Sequence, residues 1–371
     1  MAEFINDNIN EDELQTAYNN YVLRFKPSSG TATKAIITGL GFDIEIYPFN
    51  NEFYFNAKPY LKALFNNNFE DTISMDVDRF NLETFIYLDP EIVKVVDINI
   101  EIKRTSNPQF LSKRVYLSRG VKNKFDNYNF SVSPPYTNFL QAPTVKYWVG
   151  YPFDISFQNR LNQDFKIVNQ VNNSRTITIE RYEGLRWIIS SGQAPGNGEF
   201  ANNFSTNPFI RRGLSQYTIN DDLVIRIKTI QESSSCGVYI KWINEFGTYS
   251  YYLFDDRYFE EINSSQDAVV NNDFKNHEET ISKELVVSRT SRRTLNVLAK
   301  QTNKVDRDIL YSLGYSPKIW LYTADKFNKS EPTDWYEIQL GSHTFPVNIP
   351  NRKKIDIEYN FVLPENNIQS I

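Results

Sequence analysis

The segment Gly237-Val-Tyr-Ile-Lys-Trp-Ile-Asn-Glu-Phe-Gly-Thr-Tyr-Ser-Tyr-Tyr-Leu-Phe254 restricts the fold of this chain more than any other stretch. Two runs of aromatic and β-branched residues flank Asn244-Glu-Phe-Gly247, with Asn at the entrance of a turn and a conformationally permissive Gly at its exit, which is the pattern of a β-hairpin. In the first arm Val238, Ile240 and Trp242 alternate with Tyr239, Lys241 and Ile243. That spacing predicts a half-buried strand, with Trp242 as the core anchor and Tyr239 and Phe254 beside it. A lone hairpin is marginal in water, so this one is expected to lie on a larger sheet, as the centre of a β-rich domain.

At 371 residues, 40% of them hydrophobic and 15% aromatic, the chain is long enough for two domains and too apolar to be disordered. Asn-rich turns such as Asn66-Asn-Asn68 and Asn172-Asn173 separate runs rich in Tyr and Phe. The expected fold is mainly β, with two β-sandwich-like domains and a few short helices. A net charge of −5 argues against a free-standing nucleic-acid binder. Cys236 is the only cysteine, which excludes an intrachain disulfide and leaves no thiolate set for zinc or iron–sulfur. Synthesis in a cytoplasm is therefore expected. The opening Met-Ala-Glu-Phe-Ile-Asn-Asp has no basic-then-apolar leader, and no run of about 18 apolar residues occurs, so no membrane partner is expected.

Residues 1–20, acidic and Asn-rich, read as an N-terminal arm or a short frayed helix. A first β domain spans 21–120, with short alternating runs and one helical segment at 59–65. The Asn-, Ser- and Pro-rich stretch 121–145 reads as the interdomain connection, and 146–371 as a second β domain around the central hairpin 237–254. One further helix is expected between Asn303, its cap, and Gly314, its stop, with Val305, Ile309, Leu310 and Leu313 on its apolar face.

No catalytic constellation emerges. The only histidines, His277 and His343, sit in polar or turn contexts. Asp255-Asp256 and Glu260-Glu261 lack the ligand spacing of a calcium loop. Gly192-Gln-Ala-Pro-Gly-Asn-Gly198 is followed by neither Lys-Ser/Thr nor a helix, so it reads as a loop rather than a phosphate cradle. Neither enzymatic activity, nor a cofactor, nor a bound metal is expected. Tyr249, Tyr251, Tyr252 and Tyr258 offer a sugar-stacking platform if exposed; cross-strand packing is the simpler account.

Charge is segregated along the chain. Lys103, Arg104, Lys113, Arg114, Arg119, Lys122 and Lys124 have no Asp or Glu among them, whereas 255–284 is mainly acidic. Two solvated faces are one reading. The sharper expectation is that a basic patch of Arg104, Lys113, Arg114 and Arg119 meets an acidic patch of Asp255, Asp256, Glu260 and Glu261 on the next identical subunit, a head-to-tail contact that closes a ring. Turned toward the lumen, the basic segment would instead make weak, nonspecific contact with DNA in transit.

The run Tyr239-Ile-Lys-Trp-Ile-Asn-Glu-Phe-Gly-Thr-Tyr-Ser-Tyr-Tyr-Leu-Phe254 resembles the W-[LI]-N-x-x-G-x-x-x-Y/W-x-F hairpin of virion structural proteins from tailed phages that infect Bacteroidetes, crAss-like phages included. It departs from that pattern at Phe246, where a small or polar residue is commoner. Phe53-Tyr-Phe-Asn-Ala-Lys-Pro-Tyr-Leu-Lys-Ala-Leu-Phe65 is similar to a strand-then-helix segment of their first domain. Ser291-Arg-Arg-Thr-Leu-Asn-Val-Leu-Ala, followed by Leu310-Tyr-Ser-Leu-Gly-Tyr-Ser-Pro-Lys-Ile-Trp-Leu321, resembles the strand, helix and strand that come after their hairpin. The resemblance implies a non-enzymatic structural subunit of a virion: a homo-oligomeric ring in the tail or neck, made in the bacterial host cytoplasm, contacting other tail or neck proteins at the head-to-tail connection through which DNA passes. A receptor- or carbohydrate-binding tail protein is the alternative.

Overall fold

The computed structural model describes residues 2–5, 14–41, 43–65, 71, 86–121, 144–149, 151–158, 164–169, 174–178, 183–191, 213–220, 223–230, 237–255, 257–271, 278, 283–302, 304–322, 335–341 and 354–364. The chain is mainly β, as its composition implies, and forms two compact units: Met1–Gln231 with Ile243–Tyr249, and Glu232–Trp242 with Ser250–Ile371. The expected connection at 121–145 falls within the first of these, and its residues 122–143 lie outside the described residues.

The first unit holds two β-sandwiches. In one, a three-stranded sheet of Glu3–Phe4, Val22–Lys26 and Phe53–Asn56 faces a five-stranded sheet ordered Leu14–Thr16, Gln109–Ser118, Val93–Arg104, Ala32–Thr38, Ile44–Ile46. Strict alternation builds it: Leu23, Phe25, Phe53 and Phe55 turn inward from the small sheet to meet Ile37, Ile98, Ile100, Ile102 and Val115 from the large one. Phe25 stacks on Phe53 with ring centres 5.1 Å apart. The helix Lys58–Ala63 starts at a Pro in its first turn and buries Leu61 in the same core.

The described parts of the N-terminal segment, residues 2–5 and 14–20, are not the arm or frayed helix expected there, and residues 6–13 lie outside the described residues. Glu3–Phe4 pairs antiparallel with Phe25 and Lys26, and Leu14–Thr16 pairs parallel with residues 116–118. A short strand added to a finished edge needs few apolar residues of its own. Phe4 packs edge-on to Phe25 and Leu14 is buried beside Ile92, so each segment needs only one anchor.

The second sandwich sets Pro152–Gln158, Gly184–Ser191 and Ile86–Leu88 in one sheet. The other runs Thr144–Trp148, Leu223–Ile230, Leu214–Ile219, Phe165–Asn169, Ser174–Ile177. Aromatic pairs join the two layers: Phe157 with Phe165 at 5.0 Å, Trp187 with Tyr217 at 5.0 Å and Tyr147 with Phe153 at 5.6 Å. Ile86–Leu88, placed with the first domain by its position in sequence, pairs instead with Gly184–Ser191, Leu88 opposite Leu185.

The second unit is built on a seven-stranded sheet ordered Tyr249–Phe254, Val238–Ile243, Ile319–Tyr322, Trp335–Leu340, Ile355–Val362, Glu284–Thr302, Arg257–Asn271. Helix Lys304–Leu313 buries Ile309, Leu310 and Leu313, and Gly314 donates back to the Tyr311 carbonyl at its end. Asn303, its expected cap, lies outside the described residues.

The hairpin arms are buried at every position rather than on one face only. On one side Trp242, fully buried, donates through Nε1 to Ser312 Oγ of that helix at 2.9 Å. On the other, Tyr239 stacks on Tyr251, and the Lys241 ammonium lies 4.9 Å and 4.5 Å from the ring centres of Trp320 and Trp335. Rings from the neighbouring strands thus cover the face that the Lys made look solvated. Phe254 is fully buried against Tyr359.

Candidate functional site

Within the first unit, Gly184–Ser191 is the middle strand of its sheet, and both Arg186 and its flanking Leu185 and Trp187 are buried. A guanidinium placed there must be met by acceptors. Asp154, on the paired strand Pro152–Gln158, accepts from Nε at 2.8 Å, while Asp71 takes both terminal nitrogens and Asp89 lies 3.9 Å away. Because the first two carboxylates already hold the guanidinium, desolvation prevails at Asp89 and pushes its carboxyl above the usual carboxylate range, with Arg186 and Arg119 offsetting this only in part.

The Arg186 guanidinium also lies 4.5 Å from the centre of the Tyr249 ring, and that of Arg119 lies 4.9 Å from it. Burial pushes the Tyr249 phenol up to about 12 against the opposing pull of Arg119. Arg119 donates through Nε to the Gly247 carbonyl at 2.5 Å, and Val121 donates to the Glu245 carbonyl at 2.7 Å. The turn is pinned from within as well: Asn244 Oδ1 accepts from the backbone of Phe246 and of Thr248. Gly247 has φ +77°, and a Cβ on it would come within 2.5 Å of the Arg119 side chain, while one on Gly120 would come within 2.7 Å of the Glu245 carbonyl. This is a clamp on the turn. Arg186 is spent on Asp154 and Asp71, whereas Nη2 of Arg119 is buried without a hydrogen-bond partner, and among the described residues no group of His, Cys, Asp and Glu is arranged to hold a metal.

The signal for the clamp was present in the sequence but was missed. Phe153-Asp-Ile-Ser-Phe and Leu185-Arg-Trp-Ile-Ile each carry a lone charge inside an apolar strand, of opposite sign. Only the pairing of the two strands makes them partners, since Arg186 stands opposite Ser156, two positions along from Asp154.

Within the second unit a different feature is exposed. Arg257–Asn271 pairs with Glu284–Thr302 along its whole length, but Ile355–Val362 joins as a third strand only from Thr294 onward, followed by one hydrogen bond from Leu363 to the Arg293 carbonyl. Beyond that point residues 262–271 and 284–293 pair only with each other among the described residues, a ribbon reaching about 30 Å at the usual rise per residue. All of 262–271 is exposed. Ile262 is 68% exposed, Val270 50% and Leu285 47%, a combination that water does not favour. The register shifts around Asp267, a bulge that twists the ribbon.

The expected basic and acidic faces do not form as continuous patches. On Gln109–Ser118 successive side chains alternate between faces, so Lys113 is buried with its ammonium 5.1 Å from the Phe4 ring centre, whereas Arg114 points outward and forks onto Asp97 at 2.9 and 3.2 Å. Arg119 is inside the clamp. Arg104 donates to the carbonyls of Ser29 and Asn107. The same alternation divides the acidic pair: Glu260 takes Arg293 at 2.6 Å and Glu261 accepts from Asn296 on the opposite face. Asp255 is exposed, and Asp256, His277, His343, Cys236 and the loop 192–198 lie outside the described residues. Tyr249, Tyr251 and Tyr252 are buried, so the sugar platform is not available from them; Tyr258 is partly exposed.

No protein-family model matches the chain, and no curated protein matches it. Among solved structures, one similar chain is described as "Structural insight into host cell surface retention of a 1.5-MDa bacterial ice-binding adhesin". It is 9% identical, with a TM-score of 0.19 over 72% of this chain and 93% of that one. A likeness of that size carries no argument.

Proposed function

We propose that this chain is a non-enzymatic structural subunit that assembles with copies of itself, and that the assembly is a ring in the tail or neck of a phage virion. The observation that carries self-assembly is the ribbon. A two-stranded ribbon is marginal in water, and edges that carry no further strand among the described residues, beside exposed Ile262, Val270 and Leu285, are a template for association. The virion setting, the neighbouring tail or neck proteins and the passage of DNA rest on the sequence resemblance. The alternative, a receptor- or carbohydrate-binding tail protein, has lost support because three of the four tyrosines it relied on are buried. Among the described residues no helix is long and apolar enough to cross a membrane. Negative-stain imaging with mass photometry at micromolar concentration is the test: closed rings are expected, and a monomer throughout that range removes the proposal.

A further inference from the structure

The projecting part of the ribbon has two edges, and among the described residues both are open over the same stretch. Leu363 donates to the Arg293 carbonyl, so the backbone polar groups of Arg293 point away from Arg257–Asn271. Those groups alternate sides along an antiparallel strand, so Ser291 and Arg289 direct theirs out of the same edge, where no strand meets them among the described residues. Across the ribbon Ile262, Ser264 and Gln266, which stand opposite Arg293, Ser291 and Arg289, direct theirs out of the other edge. The ribbon thus carries two unmet rows of donors and acceptors, one on each side.

The two edges belong to strands that run in opposite directions. When copies stand side by side in one orientation, as rotation about a ring axis sets them, residues 262–271 of one copy come antiparallel to residues 284–293 of the next. The outward row of one then meets the outward row of the other. Ser264 beside the neighbour's Ser291 also keeps each side chain on the face it already occupies, since the same two positions share a face within the ribbon. A two-fold pairing of like edges leaves the second row of every copy unmet, whereas head-to-tail addition uses both. The side chains permit it. Residues 262–271 carry one charge, Asp267, so Lys283, Arg289, Arg292 and Arg293 of the neighbour meet no basic group across the seam in any register. With the seam level, Val270 lies beside the neighbour's Leu285, which extends the exposed Val270–Leu285 pair into an apolar belt. We propose that the ribbons of successive subunits add edge to edge into one continuous antiparallel sheet, closed on itself as a β-barrel with two strands from each copy. This rests on the ring reading and deepens it, and closure is what removes the open edges.

Two experiments on the full chain test the seam. Ser291→Pro deletes an N–H that points out of the ribbon and leaves the ladder to Arg257–Asn271 whole, so its thermal melt is expected to match the parent while self-association weakens by about tenfold or more in sedimentation velocity. In a Cys236→Ser background, copies carrying Ser264→Cys are mixed with copies carrying Ser291→Cys, or Arg289→Cys for a seam staggered by two residues. A disulfide between the two kinds of copy is expected. None is expected within either kind alone, because equivalent positions on adjacent ribbons stand roughly 10 Å apart, two strand spacings, beyond the ~7 Å reach of a disulfide. Thr290→Cys, on the opposite face, is expected not to cross-link to Ser264→Cys. Self-association of Ser291→Pro equal to the parent's, a cross-link within one kind of copy, a cross-link to Thr290→Cys, or no mixed cross-link at all overturns the proposal. Closed rings without the mixed cross-link sink this seam and leave the ring standing. Mixed cross-links in pairs or strings that never close keep the seam and remove the ring, and the barrel with it.

Discussion

Replacing Arg186 by Met separates a clamp that holds the fold from a decorative ion pair. The Arg186 side chain is fully buried, as is that of Asp154, and the guanidinium holds Asp154 and Asp71 while lying over Tyr249. Met fills much of the same volume but leaves Asp154, Asp71 and Asp89 without their cation. Removing one partner of a buried pair costs about 3–5 kcal/mol, mostly because the remaining charge is stranded. Against a typical stability of about 5–15 kcal/mol that is a large share. For a unit of this size it corresponds to a fall of about 6–20 °C in its melting temperature by calorimetry. Two companions sharpen the test. Neutralising the stranded groups as well, with Asp71→Asn and Asp154→Asn added to Arg186→Met, is expected to recover much of the loss. Acidification should narrow the gap for the single variant, because a buried carboxylate left without its cation costs stability only while it is charged and protonation removes that cost. A melt for Arg186→Met within about 1 kcal/mol of the parent would refute the reasoning, because a solvated arginine leaves nothing stranded.

Asp89→Asn is expected to cost less than Asp154→Asn and to flatten the fall in stability as pH rises from the ordinary carboxylate range upward, since the folded state holds the Asp89 proton more tightly than the unfolded chain does; parallel pH–melting curves for parent and variant would contradict this. Trp242→Ala is expected to cost about 3–5 kcal/mol through the cavity and the lost bond to Ser312, measured by denaturant unfolding; an unchanged midpoint would place the hairpin outside the core. Gly247→Ala meets both a left-handed backbone and the Arg119 side chain, and is expected to destabilise by about 1–3 kcal/mol, with a melt equal to the parent counting against the clamp.

The hairpin, its Asn and Gly turn, the alternation of strands such as Val22–Lys26 and Ile355–Val362, and the helix Lys304–Leu313 were legible in the sequence, because each depends on neighbours within a few residues: period two for a strand, period 3.6 for a helix, a positive φ at Gly247. What was not legible depends on partners far apart in sequence. Nothing local to Ile86–Leu88 says that it pairs with Gly184–Ser191, nothing local to Phe4 says that it closes a sheet edge on Phe25, and Lys241 reads as solvated until Trp320 and Trp335 arrive from other strands. The charge runs misled for a related reason. Counting charges along the chain ignores the pleat, which turned Lys113 inward and Arg114 outward and divided Glu260 from Glu261. The sequence therefore determined the hairpin turn and those strands that carry a clear local alternation, through local sterics and hydrophobic period, but not edge strands such as Glu3–Phe4 or the polar strand Arg257–Asn271. Which charges are buried together around Arg186, and which strands are left as an unsupported ribbon, was decided only by long-range strand pairing, where burial sets a cost on each misplaced charge that no local pattern records.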